Sequence, residues 1–303
     1  MPHIRIAHTT EYTYHQPVHP TTHRLMLRPR DSHDLRLRSA TLTVTPPPLR
    51  TRWAHDVFGN SVCYLEWGRA LTQVLRIVST LDLDHYPSTR DLPLDPAAET
   101  FPFSYSTEEA PDLARLLERQ YPDLHRIVEG WARGFANPAG PTGTMDMLIA
   151  MTRSIHETFT YAARDAEGTN PPLQTLTTRR GACRDFALLM MEACRSLGLA
   201  TRFVSGYLYD EARAGTPQVV GGGATHAWCG VYLPGAGWVE FDPTNGLVAG
   251  RNLVRVCAAR TPEQAVPIKG AYIGQRTDFD QLRVSVDVTV GDQGTNGHRG
   301  MAA

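Results

Sequence analysis

The chain has 303 residues, 42% of them hydrophobic and 20% charged, which is enough apolar material for a folded core and excludes a largely disordered chain. A net charge of −1 argues against a general basic surface for nucleic acid, so we expect no nucleic-acid partner. Since no long apolar run occurs, the sequence predicts neither a signal peptide nor a membrane span, and we expect a cytoplasmic protein with no membrane partner.

Residues 1–84 are predicted to form a β-rich N-terminal domain. Short segments with strand-favouring residues, separated by proline-rich and Gly-Asn turns, indicate a sandwich or barrel; they are 4–14, 25–28, 38–45, 61–67 and 71–81. Histidines 15, 19 and 23 recur at every fourth residue, which on a helix would align three imidazoles for a metal ion. Pro17 and Pro20 lie between them and disfavour a helix, so we predict no metal site.

Residues 85–145 are predicted to be a linker followed by a helical segment. Prolines and acidic residues dominate 85–105. A helix is predicted after Thr107, where an N-cap residue, acidic residues and a proline precede an apolar stripe. A second helix is predicted over 124–135, with a loop over 137–143 after it.

Residues 146–260 are predicted to form a separate core, which opens with a helix over 146–159. A C-terminal segment, 261–290, follows and ends in a strand over 282–290, where apolar and polar residues alternate without a break. The last residues, 291–303, are polar and rich in glycine, and we expect them to be disordered.

The cysteines are odd in number and form no Cys-x-x-Cys pair, which argues against a disulfide framework or a cysteine-rich zinc site; they are Cys63, Cys183, Cys194, Cys229 and Cys257. Apolar residues at helical spacing from 182 to 197 place Cys183 in the first turn of a buried helix. Unpaired amide groups there stabilise a thiolate. Gly181, just before it, permits a tight turn and the close approach of a substrate. Cys194 lies in the middle of the helix and is predicted to be core.

A β-hairpin is predicted from two alternating segments, 224–233 and 238–245. If a three-residue turn opposes residue 233 to residue 237, His226 and Asp242 lie diagonally on one face, within side-chain reach. A four-residue turn would put them on opposite faces. A thiol at a helix start, a histidine and an acid together form an activated nucleophile. Cys229 falls on the apolar face and is predicted to be core.

Four motifs of this region resemble the transglutaminase-like superfamily, and more narrowly its bacterial branch of proteins assigned as cysteine proteases. They are Gly181-Ala182-Cys183-Arg184-Asp185-Phe186-Ala187, Ser205-Gly206-Tyr207, Thr225-His226-Ala227-Trp228 and Phe241-Asp242-Pro243-Thr244. The N-terminal part is similar to the β-rich region that accompanies this branch, in His8-x-Thr10-x-Tyr12-x-Tyr14 and in Phe58-Gly59-Asn60. The resemblance covers most of the chain.

The resemblance implies an α+β fold: a β-sandwich-like N-terminal domain, then a papain-like or transglutaminase-like core in which the helix bearing the cysteine packs on an antiparallel sheet. It makes Cys183 the nucleophile, His226 the base and Asp242 the orienting acid, with no cofactor. Arg184 stands where the branch usually has glutamine, and in the acyl pocket it would favour acidic substrates. Tyr207 and Trp228 are predicted either to line the substrate cleft or to pack.

The leading function predicted from these residues is hydrolysis of an amide bond in a peptide or protein substrate through a thioester. Transfer of the same acyl group to an amine is the second, and the absence of a calcium-loop pattern disfavours a calcium-activated crosslinking enzyme. A non-catalytic binding protein, working through its N-terminal domain, is the third, and the complete triad argues against it. The sequence does not determine the natural substrate or the oligomeric state.

Overall fold

The structure, a computed structural model, describes residues 3–86, 92–163, 168–209, 225–248 and 252–291. The predicted α+β class is confirmed: a strand-rich domain is followed by helices that pack on a second antiparallel sheet. The glycine-rich residues 221–223 and the C-terminal residues 292–303 lie outside the described residues. Gly291, predicted to begin the disordered end, is the last residue of a strand.

The N-terminal domain contains two antiparallel sheets that enclose an apolar core. Its strands in chain order are β1 (His3–Pro20), β2 (His23–Leu25), β3 (Leu35–Thr45), β4 (Arg50–His55), β5 (Ser61–Glu66) and β6 (Thr72–His85). One sheet has the order β3-β6-β1 and the other β4-β5-β2, and Leu65 and Ile77 are fully buried in the core. Strand β4 escaped the sequence prediction because it is an exposed edge strand with arginines in place of alternating apolar residues.

The helices follow the apolar patterns of the sequence: the helix predicted over 124–135 is shorter, at Ile127–Arg133, and the one predicted over 146–159 begins two residues earlier, at Thr144. The elements between the two domains and at the start of the core are β7 (Thr100–Phe101), α1 (Glu109–Leu117), α2 (Ile127–Arg133), β8 (Thr142–Gly143), α3 (Thr144–Thr158), β9 (Thr160–Tyr161), α4 (Pro172–Thr178), β10 (Arg180–Gly181) and α5 (Cys183–Ser196). A short 3-10 helix, Pro96–Ala98, precedes β7. In the described ranges no helix combines the length and the apolarity that crossing a membrane requires.

The core sheet has five antiparallel strands in the order β14-β13-β12-β11-β15. Their bounds are β11 (Thr201–Leu208), β12 (His226–Leu233), β13 (Gly237–Asp242), β14 (Leu247–Val248) and β15 (Leu253–Ala259). Helix α5 lies on the face that carries Ala227, Cys229 and Val231, and these side chains join the largest apolar cluster of the protein. The buried helix predicted to bear the cysteine therefore does pack on an antiparallel sheet.

The predicted C-terminal segment is not separate, because its strands complete the N-terminal sandwich. After a 3-10 helix, Pro262–Ala265, come β16 (Ile268–Lys269), β17 (Tyr272–Ile273), a second 3-10 helix, Arg276–Asp278, and β18 (Phe279–Gly291). Strand β16 pairs with β2, whereas β17 and β18 both pair with β1. The alternation of the sequence predicts β18 but not its partner, which lies about 280 residues earlier in the chain.

Buried polar contacts join the sandwich to the core sheet. His8 Nδ1 and the Tyr207 hydroxyl are 2.9 Å apart, and so are His85 Nδ1 and the Tyr209 hydroxyl. The amide of Asn60 donates to the carbonyl of Ala258 at 2.7 Å and accepts from its N–H at 2.9 Å. Strands β11 and β15 are thus held on one side by the N-terminal domain.

Arg195 and Glu192 form an ion pair that is buried at the end of α5. Arg195 donates to Glu192 Oε1 at 2.9 Å and to the carbonyls of Leu116, Thr201 and Arg260 at 2.8–3.0 Å. Glu192 Oε2 accepts from the backbone N–H of Gln120 at 2.9 Å. Both side chains are at most 1% exposed. The pair therefore connects α5 with the segment after α1 and with the edges of the core sheet.

Arg195→Ala should lower the free energy of unfolding by about 3–5 kcal/mol, because it leaves the Glu192 carboxylate buried without its counter-ion. Urea unfolding followed by circular dichroism measures the change. The matched control is Arg133→Ala, which breaks an exposed 2.9 Å pair with Glu129 and should cost at most about 1 kcal/mol. Equal losses of unfolding free energy in the two variants would show that the buried pair contributes no more to stability than the exposed one.

Candidate active site

Cys183 is the first residue of α5, and its neighbours shape the start of that helix. The backbone N–H of Ala182 donates to Asp185 Oδ2 at 2.9 Å, so Asp185 is the helix-start carboxylate that the sequence predicts. A Cβ on Gly181 would lie 2.8 Å from the Cβ of Asp185 and 3.3 Å from a ring carbon of Phe186. Glycine is needed here for packing against the helix, not for the approach of a substrate. Cys183 is 7% exposed.

The hairpin has the register that brings the histidine and the acid together. Leu233 opposes Gly237 across a three-residue turn, as the sequence argument requires. His226 Nε2 then lies 2.8 Å from Asp242 Oδ2. Because an ionised carboxylate only accepts hydrogen bonds, Nε2–H is the donor, which fixes the orientation of the imidazole.

Charge stabilises this pair inside the protein, where both side chains have no exposed surface. Burial alone lowers the pKa of an imidazole, but the Asp242 carboxylate and then the Cys183 thiol raise the pKa of His226 from 6.5 to about 10. Burial raises the pKa of Asp242, yet the bonds from His226 and its other donors outweigh it and keep that pKa below 3.8. At neutral pH the two groups form an imidazolium–carboxylate pair.

The second ring nitrogen of His226 is available to the thiol. Nδ1 is buried and has no hydrogen-bond partner among the described residues. Cys183 is close enough to His226 to raise its pKa. With Nε2 held by Asp242, Nδ1 is the ring nitrogen that remains for Cys183.

Asn245 belongs to the site and was missed in the sequence. Its Nδ2 donates to Asp242 Oδ2 at 2.8 Å, while the backbone N–H of Thr244 donates to Oδ1 at 2.9 Å. The carbonyl of Thr244 accepts from His156 Nδ1 of α3 at 2.8 Å. The turn after β13 therefore surrounds the carboxylate with donors and is itself tied to a helix. The signal was the short run Asp242-Pro243-Thr244-Asn245, since Asp and Asn next to proline favour a local turn.

Trp228 supports the imidazole instead of lining a cleft. Its ring stacks on His226 with the centroids 6.0 Å apart and the planes 28° apart, and it is 0% exposed. Gly206 makes room for it, because a Cβ there would lie 2.8 Å from Cη2 of the indole and 2.1 Å from the carbonyl oxygen of Val254. Of the two roles predicted for Trp228, its full burial agrees with packing.

Tyr207 and Arg184, the other two predicted substrate-binding residues, also point into the protein. Tyr207 is 1% exposed and its hydroxyl contacts His8 between the domains, which agrees with the packing role of the two predicted for it. The Arg184 guanidinium lies 4.9 Å from the centroid of the Phe203 ring and donates to the carbonyl of Pro262 at 2.7 Å. These contacts give Arg184 a packing role and do not support an acyl pocket built on its charge.

The other four cysteines differ from Cys183 in their surroundings. Cys194 and Cys229 are 0% exposed in the core, as predicted, and Cys63 and Cys257 are buried too. Burial raises the pKa of Cys63 to about 11 and those of Cys194 and Cys257 to about 12, and it raises that of Cys229 strongly. Within the described ranges no three His, Cys, Asp or Glu side chains are grouped to hold a metal ion.

Comparison with known proteins gives two matches to protein families. Residues 130–243 match the transglutaminase-like superfamily, and residues 4–84 match the bacterial transglutaminase-like N-terminal region. An uncharacterised protein of Mycobacterium tuberculosis is 30% identical over 300 residues, which cover 94% of this chain and 91% of that protein. A protein-glutamine gamma-glutamyltransferase of Pseudomonas aeruginosa is 34% identical over 99 residues, 31% of this chain and 14% of the relative.

A solved structure shares the fold over nearly the whole chain. It is a protein of Cytophaga hutchinsonii, provisionally assigned as a cysteine protease, with a TM-score of 0.68 and 19% identity. The match covers 97% of this chain and 92% of that one. That protein therefore has the same arrangement of sandwich and core as this chain.

Proposed function

Because the chain belongs to the transglutaminase-like superfamily, we propose that it is a cysteine-dependent hydrolase of amide bonds in peptides or proteins. One observation carries the proposal: His226 holds Asp242 with Nε2 and leaves Nδ1 to the thiol at the start of α5. Such a pair activates a nucleophile, and the acid keeps the imidazole in one orientation.

In the proposed reaction, the proton of Cys183 already lies on Nδ1 of the His226 imidazolium, and the thiolate attacks the carbonyl carbon of the amide. The new C–S bond forms as the carbonyl electron pair moves to oxygen, and amide groups at the start of α5 stabilise that oxyanion. The C–N bond then breaks, and the imidazolium donates its proton to the departing nitrogen. The product of this half-reaction is a thioester on Cys183 and a free amine or ammonia.

Water completes the cycle. His226 takes a proton from the water that attacks the thioester carbon, the C–S bond breaks, and a carboxylic acid leaves. Asp242 stays ionised and stabilises the imidazolium each time it forms. Because Cys183 is 7% exposed while His226 is 1% exposed, the substrate reaches the pair from the side of the thiol.

Alkylation with iodoacetamide at pH 5.5 should label Cys183 and leave the other four cysteines unmodified, as mapped by peptide mass spectrometry. An ordinary thiol is only about 0.1% ionised at that pH. The imidazolium, with its pKa near 10, favours the thiolate of Cys183, whereas burial keeps the other thiols protonated. His226→Ala should abolish the acid-pH label, and His15→Ala, at an exposed histidine beside Asp280, should keep it.

Two results would contradict this proposal. Equal labelling of all five cysteines, or a Cys183 label that survives His226→Ala in a protein with native circular dichroism, would remove the activated pair. If no cysteine were labelled at pH 5.5, the hypothesis of a non-catalytic binding protein would be favoured instead.

Transfer of the acyl group to an amine is the second candidate, favoured by the similarity to the Pseudomonas gamma-glutamyltransferase. The same thioester serves both reactions, and the difference is whether an amine or water attacks it. Incubation with dimethylcasein distinguishes them. Fluorescence incorporated from dansylcadaverine indicates transfer, whereas peptide fragments, or ammonia released without the amine, indicate hydrolysis.

A further inference from the structure

Strand β18 forms one edge of the N-terminal sheet and has an open side. It pairs with β1 from residue 279 to residue 291, and within the described ranges no strand pairs with its other edge. Open edges expose unpaired backbone groups, and soluble proteins usually protect them with proline, lysine or a bulge. β18 has no proline or lysine, and its one irregularity lies at its first residues, beside Thr13 and Tyr14.

One half of this strand also exposes apolar side chains. Phe279, Leu282 and Val284 are 42%, 46% and 43% exposed. In the other half, Val286 is 6% exposed because it packs against residues of the core sheet such as Val254. The apolar row of β18, the side chains of Phe279, Leu282, Val284, Val286 and Val288, is therefore exposed in its N-terminal half and covered from Val286 onward.

The sequence of β18 is complementary to itself. Ser285 is the midpoint of the strand, two residues after Arg283 and two before Asp287. If a second copy pairs antiparallel about Ser285, each Arg283 lies opposite the partner's Asp287, twice in the interface. Asp287 is exposed and has no ion pair with any residue that the structure describes.

The same register also matches the apolar row. Leu282 then lies opposite the partner's Val288, and Val284 opposite the partner's Val286. The exposed half of each strand thus gains an apolar neighbour from the covered half of the other. Shifting the pairing to bring Arg283 opposite itself would oppose like charges, which destabilises a strand pair.

We propose that two copies of this chain associate through antiparallel pairing of their β18 strands about a twofold axis at Ser285. The two sheets, β3-β6-β1-β18 in each copy, become one continuous sheet. The interface is isologous, so each charge pair occurs twice. The proposal is independent of the chemistry at Cys183, because β18 contributes none of the residues of the candidate site.

Sedimentation velocity of the purified chain tests this. We expect a dimer, and we expect Asp287→Arg to raise the dissociation constant at least about tenfold, because it opposes two arginines. Across β1, Asp287 lies opposite Ala7 and diagonal to Arg5, and Arg283 lies opposite Glu11, so each variant also needs a test that its own fold is retained. The double variant Arg283→Asp/Asp287→Arg restores opposite charges across the axis and should restore the dimer. Thr41→Arg, at an exposed position opposite Thr80 on β3 at the far edge of the sheet, is the matched control.

Each outcome decides the matter. A monomeric wild type overturns the proposal and leaves the edge to an extended segment of some other protein. A dimer that Asp287→Arg leaves unchanged, or that the double variant fails to restore, overturns the register. Dimer loss in Asp287→Arg, with recovery in the double variant and neither effect in Thr41→Arg, supports it, and circular dichroism of each variant tests that the fold is retained.

Discussion

Cys183→Ala should lower turnover of dimethylcasein, with or without dansylcadaverine, by about a thousandfold or more, because it removes the atom that forms the thioester. The loss should fall on kcat, since the nucleophile acts after the substrate is bound. The folded state should be nearly unaffected, because the variant removes only one sulfur atom, from the first residue of α5, which is 7% exposed.

Cys194→Ala is the matched control for that variant. Cys194 lies on the same helix, is fully buried, and has a thiol whose pKa is raised by burial to about 12. Removing its sulfur should cost about 1 kcal/mol of stability and leave kcat unchanged. Activity retained by Cys183→Ala, or lost equally in both variants, would contradict a nucleophilic role for Cys183.

Local patterns were enough to predict the centre of the site. Helical spacing after Gly181 placed Cys183 at the start of a buried helix, and strand alternation with a three-residue turn placed His226 near Asp242. Both arguments depend on neighbours within about twenty residues in the chain. The hydrogen bonds that complete the site, from Asn245 and Thr244, are equally local, but residues 243–245 were predicted as part of the strand, whereas they form a turn after β13.

Aromatic residues near the site were harder to assign, because their role depends on the other domain. Alternation separates the two faces of a sheet but does not tell what covers each. Here α5 covers one face, and the N-terminal sandwich packs against β11 and β15, so Tyr207 contacts His8 in a fully buried position. The motifs around His8, Asn60 and Tyr207 are explained by this contact between domains.

The pairing of β18 with β1 could not be predicted for a related reason. The alternation of residues 282–290 indicates a strand with one apolar face, but any strand of either sheet could accept it. Only the assembled fold shows that the chain returns to its first strand and that the outer edge of β18 stays open. The division of the sequence into consecutive domains fails at this point, because the sandwich uses both ends of the chain.

Asp242→Asn should lower kcat by about 10³–10⁴-fold while the shape of the site is kept. All three groups around the carboxylate are donors: His226 Nε2–H and Asn245 Nδ2–H on one oxygen, and the N–H of Thr244 on the other. An amide has an NH2 group in place of one oxygen, so it must turn a donor toward a donor. The imidazole then loses its fixed tautomer and the charge that raises its pKa.

The same variant makes a prediction about stability and pH. His226 has a raised pKa in the folded protein, so its contribution is fully present below 6.5 and is lost as the pH rises through about 10. Asp242 has a lowered pKa, so its contribution is present above 3.8 and is lost as the pH falls through the folded value. The stability difference between wild type and Asp242→Asn should therefore be largest between about pH 4 and pH 6.5, and it should shrink as the pH rises from 6.5 to about 10 or falls below 3.8.

Urea unfolding across this pH range measures the difference, and labelling of Cys183 at pH 5.5 follows the charge pair directly. Asp280→Asn is the control, because Asp280 accepts a hydrogen bond from Thr13 at 2.8 Å but has an exposed carboxylate. It should change neither profile. If Asp242→Asn kept both the acid-pH label and a pH-independent stability difference, Asp242 would be a packing residue and the charge of His226 would have another source. Loss of the label together with a difference that is largest between about pH 4 and pH 6.5 requires the buried imidazolium–carboxylate pair, because no neutral hydrogen bond titrates at both ends of that range.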